Sequence, residues 1–294
     1  MTETFCGKDC DLCQEKFLCL QLLGYTHREI YSLVEQQKDK IDEIVAQSEN
    51  VYEKAKMLLS KQKDCGIHTI HYYAEDYPKH FAQNLGYDAP VLIHLLGDKS
   101  LIYREDCITI IGARRADAEG LKVAYHLARK FASDGHVIVS GLALGCDTYA
   151  HRGCLDAGGK TIAIVASGLN ITHPKENKSL QEEIVQKGGL ILSEQPFGVK
   201  ANPRRLVARC RMQVVLSQPV IVAQCPILSG TMYAVYFAQE YDGDIWGWEN
   251  HIYAVEYESY NEKNSGNQFL LEHELAMPIN WKEPSFPCPY WAEY

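Results

Sequence analysis

From residue 106 onward, short apolar segments alternate regularly with helical ones, and this alternation restricts the possible folds more than any other feature of the chain. The apolar segments have the length and the Val and Ile content of buried strands. They cover residues 107–111, 136–140, 161–165, 190–193, 220–223 and 252–255. Strands that are apolar throughout and alternate with helices are typical of a parallel sheet covered on both faces. The sequence therefore predicts an α/β protein with a doubly wound, mostly parallel sheet.

Three regions of the chain differ in their patterns. Residues 1–62 have apolar positions at helical spacing, with Thr26 and Ser48 as candidate N-caps, and predict a small helical N-terminal unit. Residues 63–280 contain the strands, preceded by the strand-like segments HTIHYY and APVLIHLLG, and are predicted to form the main domain. Residues 281–294 include the proline-rich PSFPCPYWAEY and are predicted to form a C-terminal tail.

Composition and the N-terminal sequence restrict the class of protein. The chain is 46% hydrophobic and 23% charged, which excludes the disordered class. No run of 18 or more apolar residues is present, and the start MTETFCGKDC lacks the basic and apolar regions of an export signal. We therefore expect a cytoplasmic protein without a membrane span.

The chain contains eleven cysteines, and four of them lie close together near its start. In a reducing cytosol most of the eleven are expected to be buried thiols. The four are Cys6, Cys10, Cys13 and Cys19, with the spacing C-x3-C-x2-C-x5-C. Four soft ligands of this kind suit a zinc ion or an iron–sulfur cluster. Cys19, however, lies in the apolar stretch FLCLQLL and is equally compatible with a core position, so both interpretations stay open.

In doubly wound folds, ligands bind beyond the carboxyl ends of the strands, so the residues directly after each strand are the candidates for a binding site. The first strand is followed by Gly112, Arg114 and Arg115 at the start of a helix. A glycine permits close approach of the backbone, and two guanidinium groups at a helix N-terminus suit a phosphate. The alternative is a pair of solvated surface arginines.

The loops after later strands contain further small and polar residues. Ser140 and Gly141 begin a tight loop that is predicted to offer its N–H groups and the Ser140 hydroxyl to an anion. The other candidates are Ser167, Gly168, Lys175, Asn177 and Ser229. Lys175 suits a phosphate, whereas Asn177 is either a contact to a base edge or a helix cap. Each loop alone is a weak signal, but all of them are expected at one edge of the sheet.

The charge is distributed unevenly. The whole chain has a formal net charge of −9, which argues against a uniformly basic nucleic-acid-binding surface. Residues 107–215, however, contain 15 basic and 9 acidic residues. Within them, residues 198–215 have no acidic residue and five basic ones: Lys200, Arg204, Arg205, Arg209 and Arg211. Such a cluster beside the edge of a sheet predicts binding of a polyanion.

Several of these segments together resemble the DNA-processing protein A (DprA, or Smf) family. The segments are AEDYPKHFAQNLGYDAPVLIHLLGD, IIGARRADAEG, VIVSGLALGCDTYAHRGCLDAGGK, HPKEN, RCRMQVVLS and LSGT, and the resemblance extends from about residue 58 to residue 279. It implies an extended Rossmann-like domain that binds single-stranded DNA, dimerises and helps to load the RecA recombinase in transformation or recombination. We expect no cofactor.

The resemblance assigns roles to residues at matching positions. The family's DNA-contacting arginine corresponds to Arg114, and its other DNA contacts correspond to Ser140, Gly141, Ser167, Gly168, Lys175, Arg209 and Arg211. The chain departs from the family pattern at Ala113, Cys210 and Gln224, where the family has serine, asparagine and an acidic residue.

The sequence favours a non-enzymatic single-stranded DNA-binding protein. One alternative is a sensor that binds a free nucleotide through the same loops. The other is a phosphoribohydrolase that cleaves nucleoside monophosphates, as related Rossmann-like proteins do. Those enzymes have a catalytic glutamate three residues after the threonine of the last turn, where this chain has Ala234.

Overall fold

A nine-stranded sheet runs through the part of the chain that the computed structural model describes, which is residues 10–217, 219–241 and 252–286. Its strands are β1 (His68–His71), β2 (Leu92–Gly97), β3 (Cys107–Ile111), β4 (Val137–Ser140), β5 (Thr161–Ile164), β6 (Leu190–Ser193), β7 (Val220–Val222), β8 (Ile252–Val255) and β9 (Met277–Ile279). The order across the sheet is β1-β2-β6-β5-β4-β3-β7-β8-β9. The pairs β1–β2 and β2–β6 are antiparallel, and all other pairs are parallel. The predicted doubly wound, mostly parallel fold is confirmed.

Helices cover both faces of this sheet. Those of the main domain are α5 (Lys79–Leu85), α6 (Ala118–Ser133), α7 (Cys146–Asp156), α8 (Lys178–Gln186), α9 (Pro203–Ala208), α10 (Cys210–Val215), α11 (Thr231–Glu240) and α12 (Ser265–Glu272). Strand β3 is buried at every position, which explains why all of its residues except Thr109 are apolar. Ile108 and Ile110 pack with α6 and α7 on one face, while Cys107 packs with residues of α5 and α10 on the other.

The helical N-terminal unit lies against β1 and β2. Its helices are α1 (Cys10–Leu22), α2 (His27–Gln36), α3 (Lys38–Gln47) and α4 (Glu49–Asp64). Phe17 and Tyr31 share a core with Val91 and Leu92, so the unit is continuous with the main domain in its packing. Thr26 forms the predicted N-cap of α2 as part of a capping box. Ser48 occupies the N-cap position of α4, but its side chain makes no capping hydrogen bond.

The end of the chain adds an element that the sequence did not predict. Strand β9 is only three residues long and contains Pro278, so it lacks a recognisable strand pattern. After it, residues 281–286 cross the helical face of the sheet. Phe286 stacks on Phe131 of α6 with ring centroids 4.9 Å apart.

The order of the strands creates a crevice beside β3. From β3 the chain continues to β4, β5 and β6 on one side, and it then returns to β7 on the other side of β3. The loops that follow β3 and β7 therefore leave the same edge of the sheet in different directions. In open α/β sheets such a switch point is where ligands bind.

Candidate nucleic-acid interface

A pocket of about 600 Å3 lies at this switch point. Its walls come from residues 111–115 after β3, residues 226–231 after β7, and the segment that contains α9 and α10. Five of the predicted site residues line it: Gly112, Arg114, Arg115, Arg209 and Ser229. The volume lies in the range of small-ligand sites, so the pocket has room for one nucleotide.

Buried polar contacts hold the loop that carries Arg114 and Arg115 in place. The Ala113 N–H donates to the carbonyl of Gln224 at 2.7 Å. The Gln224 side chain in turn accepts from the Asp117 N–H and donates to the Asp117 carboxylate, each at 3.0 Å. The Asp117 carboxylate also accepts from the Gly120 N–H at 2.9 Å and so caps α6. Both arginines are exposed, so their guanidinium groups are presented to solvent from a firmly held loop.

The loop after β4 does not offer its N–H groups to an external anion, which corrects the expectation from the sequence. The carboxylate of Asp147 occupies that position and accepts from the Ala143 N–H at 3.2 Å. The Cys146 N–H donates to the Ala113 carbonyl. Burial raises the pKa of the Asp147 carboxyl, and this effect is opposed by Arg209, whose guanidinium lies 3.7 Å away. The Asp147 carboxylate therefore occupies the position that the sequence predicted for an external anion.

Ser140 and Gly141 of this loop, and Ser167 and Gly168 of the loop after β5, have structural roles instead of the predicted contacts to a ligand. The buried hydroxyls of Ser140 and Ser167 donate to the carbonyls of Ile110 and Ile171, at 2.7 and 2.6 Å. A Cβ at Gly141 would overlap the Arg209 guanidinium, and one at Gly168 would overlap the carbonyl of Pro196. These residues let the loops pack closely, and their polar groups are already satisfied inside the protein.

Asn177 and Lys175 lie on the turn that precedes α8. The Asn177 amide is buried and donates to the carbonyls of Leu142 and Ala143, at 2.9 and 3.2 Å. It makes no capping hydrogen bond, so both interpretations from the sequence are corrected: Asn177 ties the turn to the loop after β4. Lys175 is exposed on this turn, at the same edge of the sheet but outside the pocket lining.

Arg209 forms part of the floor of the pocket. Its guanidinium donates to the carbonyls of Gly141 and Ile164, the latter at 2.7 Å, and so joins the loops after β4 and β5. Only 6% of the residue is exposed. We therefore correct its predicted role from a surface phosphate contact to a positioning residue that also borders the pocket.

Arg211 lies away from the pocket, which corrects its assignment to the site. It forms a buried ion pair with Glu194, with a contact of 3.1 Å between Nη1 and Oε1. Its Nε also donates to the carbonyl of Asp88 at 3.0 Å. His27 of α2 contacts the same carboxylate at 3.2 Å. This cluster connects α10, the end of β6 and the helical N-terminal unit.

The other cations of residues 198–215 remain at the surface. Lys200 and Arg204 are exposed, and Arg205 is half-buried with a hydrogen bond to the Lys200 carbonyl at 2.9 Å. The sequence reasoning missed Lys263 and Gln213, which both line the pocket. Lys263 follows β8, so the rule of inspecting strand ends would have found it. Gln213 lies four residues after Arg209, the spacing of one helical face.

The cysteine cluster near the start is only partly described. Cys6 lies outside the described residues, as does the side chain of Cys10. Cys13 and Cys19 are buried in the core of the helical unit, and burial raises the pKa of the Cys19 thiol. Within the described residues, no three His, Cys, Asp or Glu side chains are placed to hold a metal ion. A metal site at the four cysteines remains a prediction from their spacing in the sequence.

An extended Rossmann-like sheet with a cation-rimmed pocket at its switch point defines the class of doubly wound α/β proteins, in which ligands lie beyond the carboxyl ends of the strands. Within this class, the chain belongs to the DNA recombination-mediator protein A family, whose model matches residues 68–284.

Among curated relatives, the chain is 34% identical to the DNA processing protein DprA of Bacillus subtilis over 65% of its own length and 64% of that protein. It is 36% identical to DprA of Streptococcus pneumoniae over 54% of its own length and 55% of that protein. The chain therefore matches less than two thirds of the length of these relatives.

Two solved structures are similar to this one. The structure of S. pneumoniae DprA covers 93% of the chain with a TM-score of 0.74 and 26% identity, and 98% of that structure is matched. A structure of Helicobacter pylori DNA processing protein A, described for its single-stranded DNA-binding mode, covers 74% of the chain and 92% of its own length, with a TM-score of 0.63 and 32% identity.

Proposed function

We propose that this protein binds single-stranded DNA at the switch-point pocket, with the phosphates held by Arg114 and Arg115. The observation that carries the proposal is that these two exposed guanidinium groups stand at the mouth of a pocket large enough for one nucleotide. Because the loop is already held in place, binding of a phosphate to these charges orders the two side chains but not the backbone. The H. pylori relative, for which a single-stranded DNA-binding mode is described, supports the same assignment.

The pocket favours a single strand over a duplex. Its walls line a half-open volume of about 600 Å3, which admits one base turned out of the stack. In a duplex, each base is paired and stacked, and extruding it costs a few kcal/mol. The exposed Lys200, Arg204, Lys263 and Lys175 lie at or near this edge and would attract the phosphates on either side.

We further propose that the protein acts without enzymatic turnover, in the cytoplasm, as a homodimer that presents the strand to a RecA recombinase during transformation or recombination. The family assignment supports this role. Ala234 lines the pocket where the related phosphoribohydrolases have their catalytic glutamate, so the pocket wall favours binding over cleavage. Among the described residues, no helix is long and apolar enough to span a membrane.

Titration of a labelled thymidine oligonucleotide and of a duplex of the same length, at two or more salt concentrations, tests the proposal. Each phosphate neutralised by a basic side chain contributes about −0.7 to the slope of log K against log salt for a single strand. Two to five contacts therefore predict a slope of roughly −1.4 to −3.5. Equal affinity for strand and duplex, or a slope near zero, would contradict the proposal. Tight binding of a free nucleotide without binding of strands would favour the sensor alternative.

A further inference from the structure

Exposed apolar side chains lie beside the switch-point pocket. Among the described residues, four large ones are at the carboxyl edge of the sheet, on the loops after β4 and β7 or in the first turn of α7: Leu144, Tyr149, Ile227 and Leu228. Leu228 is 96% exposed and Leu144 is 41% exposed. Single exposed apolar residues are ordinary, whereas several of them beside a ligand pocket favour a surface that is covered when the ligand binds.

Leu228 lies directly beside residues of the pocket wall. Residues 226 and 229–231 line the pocket, whereas Leu228 is outside the lining. The Ile227 N–H donates to the Ser265 hydroxyl at 3.1 Å, so the loop is anchored one residue before Leu228. The Leu228 side chain is therefore presented to solvent next to the mouth of the pocket.

Leu144 lies on the other side of the loop that carries Arg114. Across the sheet, β3 lies between β4 and β7, so the loops after β4 and β7 flank the loop after β3. Gly145, the residue after Leu144, packs closely on this loop, since a Cβ at Gly145 would lie 2.7 Å from the Arg114 carbonyl oxygen. The exposed Arg114 and Arg115 thus stand between two exposed apolar side chains.

The combination of positive charge and apolar side chains at this edge matches the chemistry of a single strand. Arg114 and Arg115 are exposed on the loop after β3, and Lys263 is exposed in the pocket lining. A single strand has negative phosphates and unpaired bases with apolar faces, so it complements both features at once. In a duplex, the base faces are stacked on one another and are not available to these side chains.

We propose that Leu228 and Leu144 pack against the faces of the bases next to the nucleotide in the pocket. These two side chains then form an apolar part of the strand-binding surface, beside the cations that hold the phosphates. Because every base has an apolar face, the contact does not select a sequence. The inference rests on the proposed function, because it adds base contacts to the same site.

The test compares a thymidine oligonucleotide with an abasic strand of equal length, which keeps the phosphates and lacks the bases. We expect Leu228→Gln to weaken binding of the thymidine strand roughly three- to tenfold, the value of burying part of one leucine side chain. Its affinity for the abasic strand should equal that of the wild type. The slope of log K against log salt should also be unchanged, because no phosphate contact is lost. Leu144→Gln should behave in the same way.

Leu228→Phe and Met57→Gln complete the set of variants. Leu228→Phe is expected to bind the thymidine strand at least as tightly as the wild type, because an aromatic ring stacks on bases. Met57→Gln is the matched control: Met57 is an apolar residue of α4 in the helical unit and is 49% exposed. We expect it to bind both strands as the wild type does. Circular dichroism establishes that each variant is folded.

Three results would overturn the inference alone, while the wild type still binds the thymidine strand. Unchanged binding of that strand by both glutamine variants would show that the two leucines make no contact with it. An equal loss of affinity for the thymidine and abasic strands would show that they do not contact the bases. A change of oligomeric state in Leu228→Gln without DNA, measured by sedimentation, would assign the surface to a contact between copies of the chain.

Failure of the proposed function would look different. In that case the wild type would bind neither the thymidine strand nor the abasic strand at low salt, and the inference would fall with it.

Discussion

Glu194→Gln is expected to lower the free energy of unfolding by about 3–5 kcal/mol, because it leaves the buried guanidinium of Arg211 without a counter-charge. Both side chains are less than a tenth exposed, and His27 contacts the same carboxylate from α2. The substitution keeps the shape of the side chain, so the decrease in the free energy of unfolding measures the contribution of its negative charge. Denaturant unfolding followed by circular dichroism measures it.

The effect of Glu194→Gln should depend on pH in a defined direction. Burial opposes ionisation of Glu194, but Arg211 and His27 outweigh it and hold the pKa of the carboxyl well below its ordinary value of 4.5. A group with a lowered folded-state pKa contributes stability above its unfolded pKa and loses it as the pH falls toward the folded-state pKa. The difference between wild type and variant should therefore be constant near neutral pH and shrink below about pH 4.5.

Glu53→Gln provides the control for a surface pair. Glu53 forms an ion pair with Lys56 at 2.8 Å, but both side chains are more than a third exposed. We expect a change of no more than about 0.5 kcal/mol. Equal effects of the two substitutions would show that the Glu194 pair does not anchor the helical unit.

Arg114→Ala combined with Arg115→Ala is expected to weaken binding of a single strand by at least roughly a hundredfold. Each hydrogen bond from a guanidinium to a phosphate contributes about 1.5–3 kcal/mol, or roughly ten- to a hundredfold in affinity. Stability should change little, because both side chains are exposed. Fluorescence anisotropy at fixed salt measures the affinity.

Arg104→Ala is the matched control for this loss. Arg104 is an exposed arginine that precedes β3, whereas Arg114 follows it, so the two lie at opposite edges of the sheet. The comparison is made with the single variant Arg114→Ala, which is expected to weaken strand binding roughly tenfold or more. Removing either arginine changes the net charge by the same amount, although Arg104 is paired with Asp106. If Arg104→Ala weakened strand binding as much as Arg114→Ala, general electrostatic attraction would explain the data and the pocket would not.

The fold was predictable because the sequence of each strand in the central sheet indicates by itself that the strand is buried on both faces. A strand buried on both faces is apolar at nearly every position, as residues 107–111 are apart from Thr109, whose hydroxyl donates to the Gln213 carbonyl. The antiparallel addition of β1 and β2 and the short β9 depend on which surfaces remain uncovered after the main sheet has formed. Those surfaces are not encoded in a local pattern.

The location of the candidate site at the carboxyl ends of the strands was also predictable. Which of its arginines are exposed and which are buried in ion pairs was not. Residues 198–215 contain five cations and no acidic residue, which suggested five unpaired charges. The partners come from elsewhere: Glu194 lies 17 residues before Arg211, and Asp147 comes from the helix after β4. Counting the charged residues within one segment of the sequence does not detect such ion pairs, because folding brings their partners in from distant segments.

Contacts between residues distant in sequence also explain why the loops that contain Ser140, Ser167 and Asn177 were predicted to bind a ligand but have structural roles. Ser140, Ser167 and Asn177 have the residue types of a phosphate-binding loop, yet their side chains bond to backbone carbonyls. Small polar residues suit close packing of neighbouring loops as well as they suit a ligand. Only the positions of the surrounding carbonyls distinguish the two roles.

Cross-linking of a strand that contains 4-thiothymidine, followed by mass spectrometry of the peptides, tests the central claim most directly. If the switch-point pocket is the binding site, the cross-links should fall within residues 112–115, 203–213 and 226–231, which form its walls. They should disappear when Arg114 and Arg115 are replaced. Cross-links confined to residues 99–106 at the opposite edge of the sheet, or to the helical unit of residues 10–64, would contradict the account.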